Sequence, residues 1–187
     1  MTRIVSRPPD RLRVVLLVHL KTGRDGPSTL SCTRADGTST WGKLHPFFPV
    51  HDLTHYAVES LLGLSHAFFG MVAAGWELDD FASPGAAARL PAEALWAEHL
   101  VGLLDRERAS GRLLSAVEVR ETLSAALAGR APQPSIDEAT LDAIRSLRDR
   151  LEQRWHALAP GDTLRLELPA PAESAAQAQR ATPGGAP

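Results

Sequence analysis

Between residues 11 and 20, apolar side chains occupy every second position: Leu12, Val14, Leu16, Val18 and Leu20. Alternation of this kind puts all five on one face of an extended strand. Val15 and Leu17 make the opposite face partly apolar, which predicts a central strand covered on both sides. Asp25-Gly26 and Asp36-Gly37 are turn signals, and residues 29–34 and 38–43 read as two more strands. Together these segments predict a three-stranded antiparallel meander.

The pattern then changes period. Pro46 and Pro49 bracket Phe47-Phe48 and end the sheet region, and a helix follows over residues 50–62, with Gly63 as its stop. Ser65 is placed to cap a second helix reaching residue 74. Pro91 suits the first turn of a helix running to residue 107. Ser115 with Glu118, and Ser135 with Glu138, have capping-box spacing and open two more helices. In the last of these, Leu141, Ile144, Leu147, Leu151, Trp155 and Leu158 recur every three or four residues as one apolar stripe. Arg145, Arg148 and Arg154, interleaved with Asp149 and Glu152, read as its exposed, ion-paired face. Residues 163–168 alternate again, and a lone strand is unstable, so this segment is expected to join the N-terminal sheet.

The predicted fold is α+β: a small antiparallel sheet, made of the meander and the C-terminal strand, packed against about five helices. The single domain spans residues 10–168, with a flexible lead-in at 1–9 and a disordered tail at 169–187 rich in Ala, Pro and Gln.

Composition narrows the functional classes. The chain has 187 residues and a formal net charge of −2, with 44% hydrophobic and 22% charged residues. Near-neutral charge gives no support for binding a phosphate backbone, so no nucleic-acid partner is expected. Cys32 is the only cysteine, which rules out an internal disulfide and a thiolate zinc ribbon. It suits a cytoplasmic location. Arg3, Arg7, Arg11 and Arg13 accompany an apolar run at 14–18 that is too short for a signal core, and no stretch approaches the roughly 20 apolar residues of a membrane span.

Candidate chemistry is concentrated on the helix after the sheet. His51, Asp52, His55 and Glu59 form an HDxxHxxxE pattern, and four of the seven histidines lie between residues 45 and 66. At about 100° per residue, His51, His55 and Glu59 make one stripe along the border of the helix's apolar arc. Two imidazoles and a carboxylate are a common ligand set for a divalent ion, zinc foremost. The expected metal ligands are therefore His51, His55 and Glu59. Asp52, next on the wheel, is a candidate base or supporting group. His45, in the extended segment before Pro46, is a candidate extra ligand or proton carrier. Glu77, Asp79 and Asp80 form an acidic cluster that reads as a solvated connection, or as part of a cation site if the second helix folds back on the first.

The His51-Asp52 pair with His55 resembles the core of the HD-domain phosphohydrolases, in which adjacent His and Asp ligate metal. That family has a further His on an earlier helix, where this chain reads as strand. The HDxxH spacing is also similar to that of a ubiquinone-biosynthesis family, whose downstream acid would fall near Ala67. Each resemblance covers fewer than ten residues, and neither family is assigned. The sequence thus leads to a metal-dependent hydrolase or related metalloenzyme acting on a small molecule. The alternative is a non-catalytic protein-interaction module with a polar His-rich helix face and the Phe47-Phe48 and Phe68-Phe69 pairs as apolar anchors.

Overall fold

A computed structural model of the chain describes residues 14–46, 48–127 and 135–170. The predicted lead-in, Leu12, Phe47 and the tail from residue 171 lie outside them. The architecture is α+β, as the sequence patterning predicts. Four strands, β1 (Val14–Lys21), β2 (Thr29–Arg34), β3 (Ser39–Lys43) and β4 (Thr163–Pro169), form one antiparallel sheet in the order β3-β2-β1-β4. The C-terminal strand pairs with β1, with Val18 opposite Leu166 and Leu20 opposite Leu164. The helices are α1 (Phe48–Leu62), α2 (Phe68–Ala73), α3 (Ala86–Arg89), α4 (Ala92–Ser110), α5 (Ala116–Leu127) and α6 (Glu138–His156), with a 3-10 turn at Leu78–Ala82.

One sheet face is buried. Leu16, Val18, Leu20, Leu30, Cys32, Leu164, Leu166 and Leu168 pack against Leu53 of α1, Phe69 and Val72 of α2, and Leu151 and Trp155 of α6. Each such side chain taken from water contributes on the order of 1.5–3 kcal/mol. The expectation that β1 is covered on both faces is corrected: Val15 and His19 are only partly buried, and Leu17 is exposed. A second core joins α1 to α4, α5 and α6 through Ala57, Trp96, Leu100, Leu104, Leu123, Leu141 and Ile144.

Between the two cores, α1 is buried nearly all round, including Asp52, Thr54, His55 and Glu59. Its polar stripe is therefore interior at His55 and Glu59 and partly exposed only at His51. The helix also begins earlier than predicted, with Pro49 in its first turn, where a missing N–H is harmless.

Several caps differ from expectation. Ser65 does not cap α2, whose N-cap is Ala67 without a side-chain bond. The cap of α6 is Asp137, which accepts from the Thr140 amide at 2.8 Å. Glu138 instead accepts from the Ala116 amide at 2.7 Å and so caps α5 from outside. The Ser115–Glu118 box forms as predicted.

The arginines of α6 are also corrected: Arg145 and Arg148 are buried. Arg145 grips Glu107 of α4 with two bonds, Nε to Oε2 at 3.1 Å and Nη2 to Oε1 at 2.5 Å. Arg148 Nη1 donates to the Leu104 carbonyl at 3.2 Å. On the other side of the molecule, Arg34 of β2 donates to the carbonyls of Val72 and Trp76, both at 2.7 Å, and pairs with Glu77 at 3.0 Å. This adds a donor to the Val72 carbonyl in the last turn of α2 and to the Trp76 carbonyl beyond it, and ties the following 3-10 turn to the sheet.

Candidate metal centre

α1 and α4 run antiparallel along a shared seam. His51 and His55, one helical turn apart, face carboxylates on α4 that are two turns apart. His51 Nδ1 lies 2.8 Å from Asp105 Oδ2, and His55 Nε2 lies 3.3 Å from Glu98 Oε1. The two imidazole centroids are 4.8 Å apart. One donor atom from each of His51, His55 and Glu98 lies within 4.8 Å of the others, and no other such group occurs among the described residues.

Each histidine is held by a carboxylate at Nδ1. Asp105 accepts from His51, and is itself steadied by Thr54 Oγ1 at 3.2 Å. Glu59 Oε1 lies 3.3 Å from His55 Nδ1. A carboxylate at Nδ1 favours the ring proton there and leaves Nε2 available to a ligand, the usual support for a metal-binding histidine.

Glu59 is not part of the converging group. Its other oxygen accepts from the backbone amides of Phe69 and Gly70, at 2.9 and 3.1 Å. These are amides of the first turn of α2, so Glu59 supplies the cap that Ser65 does not. The tight seat also needs a glycine at 70, where a Cβ would come within 2.4 Å of the Ser65 carbonyl. The sequence-derived triad thus becomes His51, His55 and Glu98, with Glu59 behind His55.

The electrostatics follow from burial. His55 is interior; burial opposes its charge, but bonds to Glu59 and Glu98 outweigh it and raise its pKa to about 10. Burial pushes Glu59 up, against the His55 bond. Burial also pushes Glu98 up, but the His55 bond and the nearby His51 and His99 hold it below the ordinary range. The two His55 bonds favour the protonated ring, with one nitrogen directed at each carboxylate. A divalent ion in place of the Nε2 proton would balance the same negative charge.

The geometry is compatible with such an ion. Two ligands of a tetrahedral zinc at about 2.0–2.1 Å are about 3.3 Å apart. The His55–Glu98 spacing already has this value. The full group stays within 4.8 Å, and the Glu98 side chain is about half exposed, at 48%.

Asp52 lies beside the group and lines the same cavity as His51, His55 and Glu98. It is 5% exposed, and its Oδ2 has no hydrogen-bond partner. Burial raises its carboxyl to about 7, against the pull of His55 and His51. Cys32 lies beneath in the core, its thiol pushed up to about 12 by burial and then by the Asp52 charge.

The cavity, of about 490 Å³, opens between α1, the Leu78–Ala82 turn and the end of β3. His45 and Asp79 line it, both exposed and both outside the converging group. Glu77 and Asp80 cap the 3-10 turn on each other, and Glu77 also holds Arg34, so both have structural partners. Of the predicted aromatic anchors, Phe69 is buried in the sheet core, Phe68 stands 5.4 Å from the His55 ring, and Phe48 is half exposed beside His51 at 6.0 Å.

Glu98 and Asp105 carried no signal adjacent to the histidine pattern. Their one legible trace is their spacing: two acids seven apart share a face of α4, matching a stripe four apart on α1.

Comparison with protein families, with curated proteins and with solved structures yields no match.

Proposed function

We propose that this protein is a metal-dependent hydrolase of a small-molecule substrate, working in the cytoplasm, with a divalent ion, zinc foremost, on His51, His55 and Glu98. The observation that carries the reading is the convergence of those three side chains at the wall of a cavity, with both imidazoles backed at Nδ1 by carboxylates. Two histidines, one glutamate and an open fourth position make a donor set suited to catalytic rather than structural zinc.

When bound, the ion would bring a coordinated water toward neutral pKa and polarise the bond to be cleaved. The remaining work belongs to the chain. Asp105 and Glu59 hold the ring protons of His51 and His55 at Nδ1 and so leave Nε2 of each ring available as a ligand. Asp52, buried at the cavity wall with one carboxylate oxygen lacking a hydrogen-bond partner, accepts the proton that the attacking water gives up. Phe48 and Phe68 pack beside the two imidazole rings and help fix their orientation.

The test is elemental analysis of protein purified without added metal, then reloaded with zinc, beside His51→Ala, His55→Ala and Glu98→Gln. About one ion per chain, lost in the histidine variants and weakened in Glu98→Gln, supports the site. Wild-type protein that takes up no ion after reloading ends the proposal.

A further inference from the structure

The cavity wall also bears on the substrate. Leu30, Leu44, Phe48, Phe68, Leu78 and Phe81 supply most of it. Phe68 and Phe81 pack at 4.7 Å, and Trp76 extends the aromatic wall behind Phe81 at 5.2 Å. A volume of about 490 Å³ lies within the roughly 300–1,000 Å³ range of sites for small organic molecules.

Charge distinguishes the bond types. Lys43 is the one Lys or Arg among the lining residues, and it stands exposed beside β3's end, whereas Asp52, Asp79 and Glu98 are acids. A phosphoryl group carries its charge into the transition state and is met in protein sites by several cations or amide dipoles. Here a divalent ion and Lys43 together would do little more than neutralise the three carboxylates. A cavity with apolar walls and near-zero total charge fits a neutral substrate.

On the reading that this is a metal-dependent hydrolase, we infer that it cleaves neutral carboxylic esters or amides with an apolar acyl group, and not phosphate esters. Water adds to the acyl carbon and the bond from that carbon to the alkoxy oxygen or amide nitrogen breaks. The leaving group takes up the proton released by the water, giving an acid and an alcohol or amine. The acyl chain would lie against Phe68 and Phe81.

The experiment uses full-length, zinc-loaded protein with p-nitrophenyl acetate, p-nitrophenyl butyrate and p-nitrophenyl phosphate, each with and without chelator. Binding of 4-phenylbutyramide and of phenyl phosphate is measured in parallel by calorimetry. Chelator-sensitive hydrolysis of the butyrate, about tenfold above the acetate in kcat/KM for two added methylenes, supports the inference. Phe81→Ala should remove most of that preference and weaken the amide, while Phe81→Leu retains both. Faster cleavage of the phosphate overturns the acyl assignment and leaves the hydrolase intact. No cleavage of any probe, with 4-phenylbutyramide still bound more tightly than phenyl phosphate, overturns the hydrolase and keeps the apolar site. Tighter binding of phenyl phosphate overturns the inference on either footing.

Discussion

His51 Nδ1 and Asp105 Oδ2 meet at 2.8 Å although they lie 54 residues apart. The contact is made by the antiparallel packing of α1 on α4, and the same packing sets His55 against Glu98. Donors and their supports are thus divided between two helices: imidazoles on one, most of the carboxylates on the other.

Glu98 and Glu59 should separate cleanly on substitution. Glu98→Gln is expected to weaken zinc at least tenfold while leaving stability close to wild type, since that side chain is half exposed. Glu59→Ala should destabilise the metal-free protein by about 3 kcal/mol, because two first-turn amides of α2 and the His55 proton lose a buried acceptor. It should also weaken zinc by roughly 10–100-fold through the misoriented ring. Calorimetric zinc titration and urea denaturation read the two effects, and identical profiles for both variants would refute the division of roles.

Zinc should stabilise the fold by mass action. At one hundred times its dissociation constant, the gain is about 2.7 kcal/mol. Chelator should reverse it, and His55→Ala should abolish it. A denaturation midpoint indifferent to zinc in the wild type contradicts the site.

Asp52 gives a pH signature. Its carboxyl is pushed up by burial to about 7 in the folded protein, from an ordinary value of 3.8. The folded state therefore holds the proton that the unfolded state releases, and this group's contribution to stability falls as pH rises from about 4 to 7. Asp52→Asn lacks that loss. In chelator, the variant should be more stable than wild type at pH 8, by up to about 4 kcal/mol at 1.36 kcal/mol per pH unit, with the gain mostly gone at pH 4. The same variant should lose hydrolytic activity when zinc-loaded. A stability gain equal at both pH values would count against a buried, raised carboxyl.

Removing one partner of the interior Glu107–Arg145 pair should be costly. Glu107 is 3% exposed, and besides Arg145 it accepts from the Leu114 amide at 2.7 Å. Glu107→Ala takes both Glu107 bonds from a buried guanidinium and leaves it the Leu114 carbonyl and the exposed Asp142 carboxylate, a change worth about 3 kcal/mol. Urea denaturation checks this. A loss below about 1 kcal/mol would mean that Asp142 and the Leu114 carbonyl suffice for Arg145.

The fold was legible because its signals are local. Period-two alternation located β1 and β4, and the Ser115–Glu118 spacing located the start of α5. The site was half legible. His51 and His55 share one helix, so their proximity is written in a four-residue spacing. Glu98 joins them only through packing, which no short pattern encodes. For Glu59 a helical wheel gives a place on the stripe but cannot reveal that the start of α2 lies against it. The buried Arg145 and Arg148 were read as surface because their partners, Glu107 and the Leu104 carbonyl, belong to another helix.

The seam between α1 and α4 works like a vernier. Sliding either helix by a single turn, about 5.4 Å, would unmake the His51–Asp105 and His55–Glu98 registrations together. Mutations far from the cavity that shift this alignment should therefore extinguish metal capture abruptly rather than by degrees. Inherited changes on one helix would then persist chiefly alongside compensating changes on the other.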